Sequence, residues 1–142
     1  MNPLAKDLDH VLAHTRDLCG ELRGQRIFIT GGTGFFGCWL LESFLWANDK
    51  LGLNASAVVL TRNPGAFREK APHLTAHPAL QLHAGDIQSF DFPPGAFSHI
   101  IHAAADYSSN LGNDNPLLMF DTVAGGTRRV LELARQRGAR KF

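Results

Sequence analysis

Residues 30–37, read Thr-Gly-Gly-Thr-Gly-Phe-Phe-Gly, place four glycines in a single turn. An apolar run, residues 27–29, precedes the turn, and an apolar stretch, residues 38–47, follows it. A strand that turns this sharply into a helix needs backbone freedom, and glycine supplies it. The amides of the helix's first turn have no intrahelical acceptors, and they carry the positive end of the helix dipole. Phosphate or pyrophosphate is the natural occupant of such a site. Gly32, Gly34 and Gly37 have the dinucleotide-binding spacing, and Gly31, Gly34 and Gly37 fit a variant of it. No Gly-Lys-Ser/Thr follows, which excludes the nucleoside-triphosphate P-loop. The turn therefore predicts a βαβ context, with Gly31, Gly32, Thr33, Gly34, Phe35, Phe36 and Gly37 around a cofactor diphosphate.

The rest of the chain supplies that context. Residues 4–22 space Leu4, Leu8, Val11, Leu12, Thr15, Leu18, Cys19 and Leu22 three or four apart with charges between, an amphipathic helix ended by Gly24. The helix from Phe35 to about residue 48 is apolar on more than one face. It should therefore lie between a sheet and the amino-terminal helix. Residues 56–61, 80–83 and 98–105 read as further strands, with a short helix near 66–74 and a loop over 88–97. Asn115-Pro116 reads as an N-cap and first helical position, and that helix should run to about residue 136 with Gly138 past its end. Residues 139–142 look like the opening of a fifth strand. Strands alternating with helices imply an α/β doubly wound parallel sheet, incomplete after about four strands, with an extra amino-terminal helix. The expected division is an added helix over residues 1–24 and a binding domain over 25–142.

Composition excludes several other classes. The net charge of +1 makes no case for nucleic acid or an anionic membrane, and no apolar run approaches the ~18 residues of a membrane span. The two cysteines, Cys19 and Cys38, form no CxxC or metal pattern, and a reducing cytoplasm is the expected setting. His10/His14 and His73/His77 are spaced i, i+4, but neither pair has an adjacent third ligand, so no metal site is expected.

Together, "TGGTGFFG", "GDI" (residues 85–87), "HAAA" (102–105) and "GGTRRVLELA" (125–134) resemble the motifs of the extended short-chain dehydrogenase/reductase family. This is the group of NAD(P)-dependent nucleotide-sugar epimerases and dehydratases, and the likeness covers residues 26–142. It implies a Rossmann-like domain in which Asp86 accepts from the adenine amino group and Ile87 lines the adenine slot, although Asp also suits a turn by itself. Ala103, Ala104 and Ala105 would leave room for pyrophosphate and ribose. NAD-preferring enzymes carry an acidic residue at the end of strand two, but residues 51–68 contain none. Thr61 and Arg62 stand there instead, and a guanidinium suits a 2′-phosphate, so NADP is favoured over NAD. Gly125 and Gly126, costly inside a helix, suggest close approach of that helix to the sheet. Val123 stands where the family usually has asparagine, and is expected to pack.

The family's reductive chemistry uses a Tyr-x-x-x-Lys pair. The one tyrosine, Tyr107, is followed four positions later by Leu111, so it is not the catalytic tyrosine, and Ser108 and Ser109 carry no assigned role. The resemblance thus implies the cofactor-binding part of an enzyme acting on a nucleotide sugar, inactive by itself and prone to self-association. The alternative from another class is a non-catalytic nucleotide-binding sensor or scaffold.

Overall fold

The computed structural model describes residues 2–104 and 115–142. The order of elements is α1 (Ala5–Gly20), β1 (Arg26–Thr30), α2 (Phe35–Leu51), β2 (Ser56–Thr61), α3 (Pro64–Lys70), α4 (Pro72–Thr75), β3 (Leu80–Ala84), β4 (His99–His102) and α5 (Pro116–Arg137). The strands form one parallel sheet in the order β3-β2-β1-β4. Lys141 makes a parallel bridge to His99 on the outer side of β4, and its carbonyl accepts from the Ile100 amide at 3.0 Å. Residues 139–142, expected to open a fifth strand, form this single bridge and no strand.

Alternation within the strands explains why both sheet faces are covered. Ile27, Ile29, Ala57 and Val59 point to one face, where they pack with Leu41, Phe44 and Leu45 of α2 and with Phe67 and Leu74. Phe28, Val58, Leu60 and Ile100 point to the other, against Phe90, Phe97 and Val130 and Leu133 of α5. Helix α1 docks on the outside of α2 through the buried Leu8, with Leu12, Cys19 and Leu22 against the same core. Trp46 of α2 donates its indole N–H to Asp9 at 2.9 Å. The expected burial of α2 on two sides is therefore observed.

Boundaries follow local chemistry. Asn63 caps α3 by accepting from the Ala66 amide at 3.0 Å, and Asn115 caps α5 by accepting from Leu118 at 3.1 Å. Gly138 closes α5 in the left-handed region. Two expectations need correction. The short helix over 66–74 is two helices, because Pro72 cannot continue α3 and starts α4. Strand four is shorter than 98–105, because its pairing with β1 stops at Thr30 opposite His102, where β1 enters the glycine turn.

Candidate functional site: a crevice at the sheet's switch point

From β1 the chain winds outward through β2 to β3, then returns to place β4 on the other side of β1. Connections therefore leave the carboxyl ends of β1 and β4 in opposite directions, and a crevice opens between them. A cavity of about 490 Å³ occupies this end of the sheet, within the usual range for small-molecule sites. Thr30, Gly31, Thr33 and Gly34 form its floor, with Leu60 to Asn63 at the end of β2, and Ala66, Phe67 and Lys70 of α3, on one side. Gly85, Asp86 and Ile87 follow β3, His102, Ala103 and Ala104 close the β4 side, and Thr122 and Val123 come from α5.

The glycine turn is built without room for side chains. Gly31 has φ of 72°, and a Cβ there would lie 2.3 Å from the Ala103 carbonyl oxygen. A Cβ on Gly37 would lie 2.1 Å from the Gly31 carbonyl oxygen. Gly32 is buried, and a Cβ there would meet Val59 at 2.7 Å. Gly31 thus brings the turn against β4, Gly32 seats it on the sheet, and Gly37 seats α2 on the turn. Gly34 is the N-cap of α2 and offers no side chain to its first-turn amides. Those amides are the ones a diphosphate would need. Gly34 itself is exposed, and a Cβ there would find only the Gly31 oxygen at 3.5 Å.

The expected residues separate into two groups. Gly31, Thr33, Gly34, Thr61, Arg62, Asp86, Ile87, Ala103 and Ala104 line the cavity. Gly32, Phe35, Phe36 and Gly37 are not among the lining residues; Gly32 and Gly37 shape the turn, while Phe35 and Phe36 are 72% and 78% exposed and stack edge to face. Ala105 lies outside the described residues, as do Tyr107, Ser108 and Ser109. Asp86 does perform turn chemistry: its Oδ1 accepts from the Gln88 amide at 2.9 Å. Its neighbour Ile87 packs against Gly126, where a Cβ would come within 2.8 Å.

Two expectations about α5 change. Gly126 approaches the loop after β3 rather than the sheet, and Gly125 faces open space, so only one of the glycines marks a close contact. Val123 is 45% exposed and lines the cavity instead of packing in the core. The histidines have separate partners: His73 meets Glu42 at 2.5 Å, and His77 meets Asp49 at 3.1 Å. Among the described residues, no cluster of three His, Cys, Asp or Glu side chains could hold a metal.

Sequence reasoning missed two functional candidates. Lys70 donates Nζ to the Thr33 carbonyl at 2.7 Å, tying α3 to the glycine turn and adding a cation to the same side of the crevice as Arg62. His102 bridges Thr30 Oγ1 at 2.7 Å and Thr127 Oγ1 at 3.1 Å, and burial pushes its pKa below the ordinary histidine value. A lysine eight positions after Arg62 and a histidine before three alanines were the available signals.

Comparison with known proteins agrees with this architecture. Residues 27–142 match the family model described as the NAD dependent epimerase/dehydratase family. A CDP-glucose 4,6-dehydratase of Salmonella typhimurium is 27% identical over 122 residues, covering 82% of this chain and 32% of the relative. Among solved structures, DesIV, a dTDP-glucose 4,6-dehydratase from Streptomyces venezuelae with NAD and TYD bound, aligns with a TM-score of 0.64 at 25% identity. That alignment covers 80% of this chain and 37% of DesIV. Pen from Bacillus thuringiensis aligns with a TM-score of 0.69 at 20% identity, covering 83% of this chain and 36% of Pen, and shares the fold. The chain spans about a third of the length of these relatives. No helix among the described residues is long and apolar enough to cross a membrane.

Proposed function

The chain belongs to the NAD dependent epimerase/dehydratase family, and from that premise we propose that residues 25–142 hold a nicotinamide dinucleotide with its pyrophosphate on the glycine turn. One observation carries this reading. The positive φ of Gly31 and the Cβ-free contact of Gly37 create a bare, uncapped helix start at the crevice where the strand order reverses. Ala103 and Ala104 leave space on the β4 side, and Asp86 and Ile87 form the adenine end. Among the described lining residues, Arg62 and Lys70 stand on the β2 side and Asp86 follows β3.

On that side Arg62 meets the 2′-phosphate, Thr61 supports it, and Lys70 adds charge, which favours NADP over NAD. The whole protein acts on a nucleotide-activated sugar as an epimerase, dehydratase or reductase, a reading supported by the named activities of its relatives. Residues 1–24 are an added element, consistent with a family match that begins at residue 27. The cytoplasmic setting is supported by two free thiols, Cys19 and Cys38.

The test is a binding titration of the chain with NADPH and NADH, repeated on Arg62→Ala. The expected result is NADPH bound more tightly, with that advantage lost in the variant by about tenfold or more, as for a charge-assisted bond to phosphate. An equal effect of the substitution on both cofactors removes the NADP assignment. No binding of either cofactor removes the dinucleotide reading.

A further inference from the structure

His102, the last residue of β4, sits between three elements at the crevice. One assignment of protons satisfies all of its hydrogen bonds. The Thr127 hydroxyl gives its hydrogen to the Val123 carbonyl at 2.8 Å, so toward His102 it can only accept, and Nε2 must carry a hydrogen. In the neutral ring Nδ1 is then the acceptor, and the Thr30 hydroxyl donates to it at 2.7 Å. Thr30 Oγ1 in turn accepts from the Ala104 amide at 3.3 Å. Each donor in the chain from Ala104 through Thr30, His102 and Thr127 to Val123 has one acceptor.

We propose that His102 is a positioning residue of the dinucleotide crevice: its neutral, Nε2-protonated ring ties the ends of β1 and β4 to α5, and uptake of a proton at Nδ1 weakens dinucleotide binding. The proposal rests on the crevice being the dinucleotide site. A hydrogen on Nδ1 would force Thr30 Oγ1 to accept from both the ring and Ala104, leaving its own hydrogen without an acceptor. Thr30 is fully buried, so water does not reach that hydroxyl. The strain falls where the glycine turn is seated. The Ala103 amide donates to the Thr30 carbonyl at 3.2 Å, and the Ala103 carbonyl is the atom that a Cβ on Gly31 would strike. Movement at the end of β4 therefore moves the wall against which the phosphate turn is built.

Among the described residues, the contacts of the ring are with uncharged groups. Thr30 faces the ring from β1, Thr127 from α5, and the Phe142 ring lies with its centroid 6.2 Å away. Of the charged groups on the packed elements, Lys141 pairs with Glu21, Arg129 donates to the Phe90 carbonyl, and Arg128 acts on Glu132. Burial is the cause of the lowered pKa of His102. Because the folded ring titrates below its ordinary value of 6.5, the arrangement is complete above that value. It is lost as pH falls through the lowered one.

The experiment follows the His102 ring nitrogens by NMR through a pH titration, with and without saturating NADP+. It also compares NADP+ affinity at about pH 7.5 and about pH 5 for the parent chain and His102→Gln. The ring is expected to be the Nε2–H tautomer at neutral pH, and its midpoint should fall by about half a unit or more when NADP+ binds. Acidification should weaken NADP+ binding about threefold or more in the parent beyond any loss in His102→Gln, in which only the ligand's own phosphate titrates. The ring titration needs no variant and decides the matter if His102→Gln does not fold. An Nδ1–H tautomer, a midpoint unmoved by NADP+, or matching pH profiles for the two chains overturns the role of His102 alone. Absence of NADP+ binding at both pH values overturns the dinucleotide reading and this coupling together.

Discussion

Replacing Gly37 with alanine puts the logic of the turn under direct test. The new methyl would lie 2.1 Å from the Gly31 carbonyl oxygen and 2.5 Å from both the carbonyl carbon and Cα of Gly32. Relaxed contacts between non-bonded carbons lie at about 3.5–4.0 Å, so the overlap is more than ~1 Å. Every obstacle is backbone, and no rotamer change relieves it. Helix α2 must move away from the turn, disturbing the contacts of Leu41, Phe44 and Leu45 with Ile27 and Ile29. Overpacking of this kind costs about 1–3 kcal/mol, and rigid backbone places it at the upper end. The better helix propensity of alanine returns at most ~1 kcal/mol. The net loss should be about 2 kcal/mol, or a fall in Tm of about 4–8 °C for a chain of this size. Circular dichroism during thermal unfolding measures it, with NADP+ affinity recorded on the same sample. Gly34→Ala is the control, since its φ of −78° suits alanine and its Cβ meets ordinary contact distance. That variant should keep its Tm within about 1 °C. If Gly37→Ala unfolds at the parent temperature and binds NADP+ equally well, the close seating of α2 is not what forms the turn.

Two further outcomes follow from helix α5. Gly125 is exposed within the helix and has open space where a Cβ would go, so Gly125→Ala should gain about 0.5–1 kcal/mol in denaturant unfolding; a loss would mean that position approaches something after all. Leu117, Leu118 and Phe120 are exposed near its start, at 75%, 46% and 68%, and the chain should self-associate in light scattering through this face. The double change Leu117→Ser with Phe120→Ser should then yield monomer, and a monodisperse monomer for the parent chain would contradict the expectation.

What could be read from the sequence was local. The strand–turn–helix unit around residues 30–37 carries its own punctuation: a Cβ on Gly31 or Gly37 would strike backbone, and one on Gly32 would strike the Val59 side chain. The ends of α5 were legible because Asn115 and Gly138 perform capping chemistry with neighbours only a few residues away. The split at Pro72 was available from the restriction proline places on the preceding residue, and the continuous helix reading overrode it. The residues that escaped notice act over distance. Lys70 reaches Thr33 across 37 positions, and His102 reaches Thr30 across 72. Neither the long stem of a lysine nor the ring of a histidine declares its partner in a sequence. Val123 was misplaced for a related reason. The residues that α5 buries, Gly126, Val130 and Leu133, lie from its midpoint onward, so a residue near its start, such as Val123, does not reach the core.

We propose that the uncapped start of α2 receives a dinucleotide's pyrophosphate. Amide NMR of the chain during NADP+ titration reads the nitrogens of that helix start one by one. Saturable shifts of the Gly34, Phe35, Phe36 and Gly37 amides, following one binding curve with those of Arg62 and Ile87, are the predicted result. Binding that shifts Arg62 and Ile87 but leaves the four turn amides unmoved would contradict it.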